Sequence, residues 1–401
     1  MKRLGEIIHA LSIISLAAVA GLWPTNFSIQ RPAMWIAGVM FVADKIINRG
    51  FDGWKWRNEM WLYVIMAAYF AMTPLMALLH GQDMGDVIVR REIDSRLPFV
   101  IFAAVGVAGW PKGMEFKHIC YALLAVATYI GVFDVLMNFD NRSLLHPITM
   151  QGIIEEVNYK RLTKFNCHMI ANLTFNAAVV SALYIITRKE IKTWIKTIAA
   201  IAAVPNIALL AVTEGRVGLA TFLLIVTCTF TYYVWKWKKA VVIAVVPIVL
   251  IAGAMAILNH PRVNWEEVMK NDRIGIWSVA WSQIKEKPIT GWGAVDGRHE
   301  FIERGLEMEN EIFETELEPL GSNIYLEHPH NIILNEWVAN GIAGVILLIA
   351  MVAAMVVKRE WITTAIVGIF MIQYMFDVFV IINPLLMGMA GSFMKINDKK
   401  I

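Results

Sequence analysis

Residues 325–350 read YLEHPHNIILNEWVANGIAGVILLIA, and this stretch decides the class of fold. Its second half is an apolar run that can enter a bilayer, since a helix needs about 20 apolar residues to cross the hydrocarbon core. Two histidines, His328 and His330, flank Pro329 at the mouth of that run. The stretch therefore predicts a membrane helix that begins at a turn with two titratable side chains.

The composition of the whole chain agrees with this prediction. Hydrophobic residues make up 58% of the 401 residues and charged residues 17%, and the mean hydropathy is +0.56. A soluble chain is nearer about 45–50% apolar and about 25% charged. The excess falls in many long apolar runs, so we expect an all-α polytopic membrane protein. The three cysteines form no CxxC pair, and neither a disulfide framework nor a cysteine metal site is predicted.

Twelve apolar segments are candidate transmembrane helices. The first lacks a clear small-x-small cleavage site and is interpreted as a span, not as a cleaved signal peptide. The predicted organisation is nine spans within residues 1–258, one large loop at 259–331, and three spans with a short tail within 332–401. The predicted spans are 6–22, 32–47, 59–79, 97–110, 117–136, 165–186, 194–212, 217–235, 240–258, 332–356, 361–378 and 380–395.

The distribution of basic residues predicts the orientation. Segments on the side of the N-terminus hold 19 basic residues, and the short loops on the other side hold 9. The positive-inside rule places both termini in the cytoplasm and the 259–331 loop outside, because long loops cross largely regardless of charge. Of the 16 external basic residues 11 are arginine, against 5 of 19 inside. Arginine is the better fork for phosphate, so this bias indicates a phosphorylated external ligand, or reflects chance and a cytoplasmic lysine preference.

An arginine lies between two apolar runs in AVTEGRVGLATFLLIV, residues 211–226. Arg216 has Gly215 before it and Gly218 two residues after it, and the turn there is too short for a real loop. An arginine at that depth is costly unless it meets an anion or a polar cavity. Arg216 is therefore a candidate anion ligand, and the alternative is that it reaches out to lipid phosphates.

A tryptophan-rich helix is predicted in NDRIGIWSVAWSQIKEKPITGWGAVDG, residues 271–297. Asp272 is a candidate N-cap and Pro288 ends the helix. The apolar residues at helical spacing predict an amphipathic helix lying on the membrane. Arg273 falls in the first turn, beside backbone N–H groups that favour an anion, although a solvated loop arginine has the same sequence appearance. The apolar positions are Ile274, Trp277, Ala280, Trp281 and Ile284.

The turn at residues 328–331 is predicted to have a stiff backbone. Pro329 prevents His328 from being helical, and Asn331 can cap the helix that follows. His330 is thereby held just outside the last three spans, and histidine is the side chain best suited to proton transfer near neutral pH. His330 is the candidate base and His328 and Asn331 are candidate supporting residues, the alternative being a purely structural role.

A metal site is not predicted. His328 and His330 do not have the i, i+4 spacing of helical metal ligands, and no carboxylate-rich motif accompanies them. The acidic run from Glu300 to Glu318 could bind divalent ions or form a solvated face.

Taken in order, these motifs resemble the bacterial O-antigen ligase and polymerase superfamily. The resemblance covers almost the whole chain and is most specific over residues 211–345. It differs from the common pattern at Gly215, where a serine often precedes the arginine. The motifs are R-x-G at a span start (Arg216, Gly218), DR…W ending in P-x-x-G-x-G (Asp272, Arg273, Trp277, Pro288, Gly291, Gly293), and HN followed by G-x-x-G (His330, Asn331, Gly341, Gly344).

The resemblance implies an activity. It implies a glycosyltransferase C-like membrane enzyme of a Gram-negative inner membrane, with its site at the periplasmic face. Its reaction would move O-antigen glycan from undecaprenyl pyrophosphate to a sugar hydroxyl of lipid A–core, inverting the anomeric carbon, with no cofactor, metal or nucleic acid. His330 would be the base, and Arg216 and Arg273 would neutralise the pyrophosphate. Other external arginines are second-tier candidates: Arg90, Arg91, Arg96, Arg142 and Arg161, of which Arg96 opens the fourth predicted span.

Three other functions are considered. A repeat-unit polymerase and a protein O-oligosaccharyltransferase of the same superfamily share the donor and differ in the acceptor. The single large loop at 259–331, acidic and rich in tryptophan, favours the ligase. A transporter of lipid-linked sugars would instead require mid-span charges, inverted repeats and broken helices, and few such charges are evident.

Overall fold

The described part of this computed structural model is helical throughout. It comprises residues 2–22, 27–48, 50, 55–56, 60–132, 168–212, 216–235, 238–258, 272–312, 328–356 and 361–375. Within these ranges there are helices and turns and no β-strand. The helices are α1 (Lys2–Gly21), α2 (Phe27–Ile47), α3 (Trp61–Leu79), α4 (Val87–Ala108), α5 (Phe116–Tyr129), α6 (His168–Thr187), α7 (Thr193–Val212), α8 (Arg216–Trp235), α9 (Lys239–Leu258), α10 (Asp272–Glu286), α11 (Ala294–Ile312), α12 (Ile332–Val356) and α13 (Trp361–Tyr374).

The helices have the character of membrane spans. Four helical segments among the described residues are long and apolar enough to cross a bilayer: Arg3–Gly21, Trp61–Leu79, Thr193–Ala211 and Ile332–Val356. Shorter apolar helices accompany them. The predicted all-helical membrane class is thus confirmed. The count of twelve spans stays a prediction, and the segment 380–395 lies outside the described residues.

The helix that contains most of the fourth predicted span begins ten residues before it. The prediction began it at 97, whereas α4 begins at Val87. The cause is Asp86, whose side chain accepts a hydrogen bond of 2.6 Å from the backbone N–H of Ile88 and so caps the helix. The first helical turns after this cap are rich in charged residues, so the hydropathy of the sequence does not show where the helix begins. Arg96 therefore lies well inside α4 and does not open it.

The short connections fix which helix ends lie together. α3 and α4 are joined by seven residues, and α4 and α5 by another seven. The first residue of α5, Phe116, packs on Tyr184 near the end of α6, with ring centroids 5.1 Å apart. Since only five residues separate α6 from α7 and three separate α7 from α8, α8 begins at the end of the bundle where α3 stops and α4 starts. The loop residue Gln82 at that end bonds to Trp292, which in turn bonds to Val338, so the first third of α12 lies near that end.

We call this the histidine end, because His330 precedes α12 there. Arg216, at the start of α8, lies at the same end. α12 packs against α3, α10, α11 and α13, while α13 also contacts α6 and α8. The fold therefore gathers the motifs of the sequence at one end of the bundle, the end predicted to face outward.

Candidate active site

The turn before α12 holds His330 in an unusual backbone conformation. His330 has φ = 45°, and it is the one residue other than glycine with positive φ among the described residues. A left-handed conformation is uncommon for a side-chain-bearing residue, at a cost of about 1–3 kcal/mol, and it tends to occur at functional sites. The His330 backbone N–H donates to Nδ1 of His328 at 3.3 Å. The two imidazole rings lie with centroids 4.3 Å apart, so His328 supports the turn.

Asn331 caps α12, as the sequence predicted. Its Oδ1 accepts hydrogen bonds from the backbone N–H groups of Ile333 at 3.0 Å and Leu334 at 3.2 Å. Its Nδ2 donates to the backbone carbonyl of Met375 at 3.2 Å, just past the end of α13. The residue next to His330 thus satisfies the first turn of α12 and ties it to a neighbouring helix.

A buried polar cluster lies in the bundle close to this turn. Glu336 on α12 is fully buried, and its Oε1 accepts from Arg96 Nη2 at 2.6 Å and from Tyr69 Oη at 2.8 Å. Its Oε2 accepts from Asn340 Nδ2 at 2.9 Å. The Arg96 guanidinium, 2% exposed, stacks 4.8 Å from the centre of the Tyr69 ring. The sequence analysis placed Arg96 among the external arginines, but the structure pairs it inside the bundle with a carboxylate.

Glu336 is a functional candidate that the sequence analysis missed. It is a single carboxylate within the 25 residues of α12, only four residues after the helix begins. An ionisable residue inside a span needs a partner, and that rule alone would have singled it out. Arg96 is the matching cation in α4, but 240 residues separate the two, and no local pattern joins them.

α12 is broken in the middle. Gly341 has φ = 64° and ψ = −168°, so the helix consists of two halves, 332–340 and 342–356. A break inside a span leaves backbone groups without their helical partners, and in a bilayer such groups must be satisfied by protein. We call residues 332–340 the entry half-helix. It carries Glu336 and Asn340 and begins directly after His330.

The P-x-x-G-x-G segment supplies the missing partners at the break. The N–H groups of Trp292 and Gly293 donate to the carbonyls of Val338 at 2.8 Å and Ala339 at 3.0 Å. The Ile342 N–H donates to the carbonyl of Pro288 at 3.0 Å. These are backbone groups that a continuous α12 would have satisfied within itself. The two glycine motifs of the sequence are therefore the two sides of one joint, which we call the 288–293 joint.

The close approach explains the glycines of this joint. A Cβ on Gly341 would lie 1.9 Å from the carbonyl oxygen of Ile289, and a Cβ on Gly291 would lie 2.6 Å from the backbone nitrogen of Gly341. Gln82 in the α3–α4 loop braces the joint from the other side. Its Nε2 donates to the Trp292 carbonyl at 3.1 Å. The sequence analysis did not identify Gln82, since nothing near it marks a site.

Gly218 of the R-x-G motif has a similar packing role. A Cβ there would lie 2.3 Å from Cγ of Asn172, a buried residue of α6. The Nδ2 of Asn176, one turn further along α6, donates to the Gly218 carbonyl at 3.0 Å. The motif thus seats the start of α8 on a polar face of α6. Arg216 is the first residue of α8, and its side chain lies outside what the structure describes.

The predicted helix around Arg273 is present, with a different buried face. In the described residues the helix begins at Asp272, and it ends at Glu286, two residues before Pro288. The capping role of Asp272 stays a prediction. Ala280 and Ile284 are buried as predicted, but Trp281 is 46% exposed. The buried face packs against Phe301 of α11 and Val338 of α12, so α10 and α11 cover the entry half-helix. Its other members are Ile276, Val279 and Gln283.

The structure describes only part of the remaining predicted site residues. The backbone places Arg273 in the first turn of α10, but its side chain is not among those described, and Arg142 and Arg161 lie outside the described residues. No group of three or more His, Cys, Asp or Glu side chains in the described ranges could hold a metal ion. Metal independence therefore stays a prediction, and so do the roles of the three arginines.

The fold and this end of the bundle define an all-helical, multi-pass membrane protein with a broken helix that opens at a histidine turn. Residues 198–349 match the family model for O-antigen ligase. This match supports a member of the O-antigen ligase and polymerase superfamily, as the motifs at 211–345 predicted. No protein with curated annotation matched the sequence. The match includes Arg216, the 288–293 joint, His330 and residues on both sides of the break at Gly341.

Proposed function

We propose that the protein is an O-antigen ligase. It transfers O-antigen glycan from undecaprenyl pyrophosphate to a sugar hydroxyl of lipid A–core, with inversion and without a metal ion, at the periplasmic face of a Gram-negative inner membrane. The observation that carries the proposal is the strained turn at His330 within the matched family region. The turn stands at the mouth of a membrane helix, where a lipid-linked donor and a lipid acceptor can both arrive.

His330 is the general base of this proposal. The acceptor hydroxyl must lose its proton as it attacks the anomeric carbon, and a positioned imidazole contributes about 10²–10⁴-fold to such a step. The donor's prenyl tail lies in the bilayer, so its pyrophosphate lies at the interface and the base must stand at that depth. Pro329 and the cap at Asn331 stiffen the turn that would present this base.

Arg216 and Arg273 are the proposed ligands of the pyrophosphate. The leaving pyrophosphate gains negative charge, and fixed cations can stabilise it without a metal. Arg216 begins α8 and Arg273 stands in the first turn of α10, so each lies where backbone N–H groups also favour an anion. Their helices begin within the region that matches the ligase family.

The structure has a broken helix and a buried ion pair, two features that a transporter of lipid-linked sugars would require. The 288–293 joint satisfies the backbone groups of the break, and Glu336 accepts from three donors. Both features thus have a static explanation as parts of a fixed scaffold. Repeat-unit polymerase and protein O-oligosaccharyltransferase activities share the donor chemistry, and only the acceptor separates them from the ligase.

The test is transfer by the purified protein in lipid nanodiscs. The donor is undecaprenyl pyrophosphate carrying a repeat-unit glycan, and the acceptors, offered separately, are lipid A–core, a second donor molecule and a serine-rich protein. We expect product only with lipid A–core. Elongated donor would identify a polymerase, and glycosylated protein an O-oligosaccharyltransferase.

His330→Ala and His328→Ala are the matched pair for this assay. We expect His330→Ala to lower ligation about 10²–10⁴-fold while donor binding persists, because only the base is lost. His328→Ala should keep most of the rate. A nearly normal His330→Ala protein beside an inactive His328→Ala protein would assign the base to the other imidazole.

A further inference from the structure

We propose that Glu336 and Arg96 are positioning residues for the proposed base, His330. They hold the entry half-helix at one height and rotation against α3 and α4. This inference rests on the proposed function only for its kinetic consequence. The mechanical part, that the pair fixes residues 332–340, stands on the geometry of the buried cluster.

The carboxylate of Glu336 collects three donors from three places. Arg96 reaches it from α4, Tyr69 reaches it from α3, and Asn340 reaches it from the next turn of the same helix. The two heteroatom distances from other helices are 2.6 and 2.8 Å. Hydrogen bonds to an ionised group are short and depend on direction. A rotation or a shift of the half-helix by one residue would break all three contacts at once.

The half-helix is held at its two ends as well. Asn331 ties its start to the carbonyl of Met375, and the 288–293 joint holds the carbonyls of Val338 and Ala339 at its far end. Glu336 lies between these two attachments and is the one that reaches α3 and α4. Because the break at Gly341 uncouples residues 332–340 from the second half of α12, their position depends on these attachments and not on the rest of the helix.

The negative charge of Glu336 matters because the Arg96 guanidinium has few other partners among the described residues. Its Nε and Nη1 are buried and make no hydrogen bond. Among the described side chains, the other carboxylate near it is Glu92, 3.8 Å from Nη2 and 36% exposed. Removing one partner of a buried ion pair leaves an uncompensated charge, whereas replacing both can be nearly neutral. A single substitution at Glu336 should therefore move the half-helix away from the unpaired guanidinium.

The experiment combines exchange and kinetics in nanodiscs. The variants are Glu336→Gln, Tyr69→Phe, the neutral pair Arg96→Gln with Glu336→Gln, and the control Glu92→Gln. Hydrogen–deuterium exchange is read for 332–340 and, as internal reference, for 342–356. The kcat, the donor KM and the pH profile of ligation are measured on the same samples. Glu92→Gln changes a carboxylate near the same guanidinium without touching α12, and so should leave all readouts at the wild-type level.

We expect Glu336→Gln to raise exchange in 332–340 selectively and to lower kcat about 10–100-fold, because a misplacement near 1 Å is enough for such a loss. Donor KM and the pH midpoint should change little, since neither the pyrophosphate ligands nor the base is altered. Tyr69→Phe should show a smaller effect in the same direction. The neutral pair should recover about tenfold in kcat over Glu336→Gln, since coupled residues are not additive.

Two results would overturn the inference. One is unchanged exchange in 332–340 together with wild-type kcat in Glu336→Gln. The other is loss of protection across both halves of α12 with no recovery in the neutral pair, which would make the pair a general stabiliser. If Glu336→Gln does not fold, Tyr69→Phe and the neutral pair decide by the same readouts. Failure of the proposed base would appear separately, as an active His330→Ala protein with normal exchange.

Discussion

At the scale of single residues, the histidine turn shows how one side chain can serve two neighbours. Asn331 uses its oxygen to cap α12 and its nitrogen to reach the end of α13. Because Asn331 directly follows His330, both contacts help to hold His330 in its left-handed conformation. We expect the loss of either contact to weaken that conformation.

Substitution of Asn331 separates the two tasks. Asn331→Asp keeps an oxygen acceptor for Ile333 and Leu334, and Asn331→Ala removes cap and tie together. We expect Asn331→Ala to cost about 1 kcal/mol of stability and Asn331→Asp to cost less, since loss of an N-cap is worth about 0.5–2 kcal/mol. Thermal unfolding in one detergent gives the ranking. Equal stability of the two variants would mean that the cap contributes little here.

A second residue-scale prediction concerns the arginines. Arg216→Lys and Arg273→Lys keep the charge but lose the planar fork, so we expect each to lower ligation and the double variant to lower it further. The measurement is the initial rate at saturating lipid A–core with varied donor. Lys285→Arg, in the last turn of α10, is a matched control with the reverse change. Full activity of the double variant would show that the two arginines are only structural.

The sequence predicted local features of the site and missed the distant ones. The cap at Asn331 follows from an asparagine next to a proline turn and an apolar run, all within a few residues. The Arg96–Glu336 pair does not, because its members lie 240 positions apart and meet only after α4 and α12 pack. Arg96 could be identified as costly, but its partner is set by tertiary structure.

At the scale of elements, the broken α12 and the segment 288–293 form a single unit. Hydropathy predicted one continuous span at 332–356, because a break changes no side chain's polarity. The glycines were recognised as motifs, but their pairing depends on backbone groups that no composition reveals. The segment 288–293 donates to two carbonyls of α12 and accepts from the Ile342 N–H, so each backbone satisfies groups of the other.

Alanine substitution tests that unit. Gly341→Ala places a Cβ against the Ile289 carbonyl at a positive φ, so we expect it to separate the joint, to raise exchange at Trp292 and Gly293, and to abolish ligation. The control is Gly368→Ala on α13, where a Cβ would meet nothing within 4 Å. Wild-type activity and exchange in Gly341→Ala would show that the joint is dispensable.

At the scale of the whole molecule, the orientation of the bundle can be tested by labelling. In a cysteine-free background we expect Glu303→Cys, exposed on α11, to react with an impermeant maleimide added outside intact spheroplasts. Glu190→Cys, between α6 and α7, should react only after lysis. The reason is the excess of basic residues on the side of the α6–α7 turn. The opposite labelling pattern would invert the topology.

Metal independence is also a prediction about the whole molecule. We expect ligation to persist after dialysis against EDTA, because fixed arginines can neutralise the leaving group. The rate is compared before dialysis, after it, and after addition of Mg²⁺ or Zn²⁺. Loss on chelation with recovery on addition of one ion would assign part of the charge neutralisation to that metal.

The 288–293 joint also has a consequence for biogenesis. Residues 288–293 precede α12 in the chain, so the groups that complete the break exist before the helix that needs them is synthesised. Without these groups, a newly synthesised α12 would make more of its backbone hydrogen bonds as a continuous helix. The bent form therefore becomes the stable one only after the preceding segment has been delivered to the same side of the membrane. Maturation of the histidine turn would then be a late step that depends on the prior placement of residues 288–293.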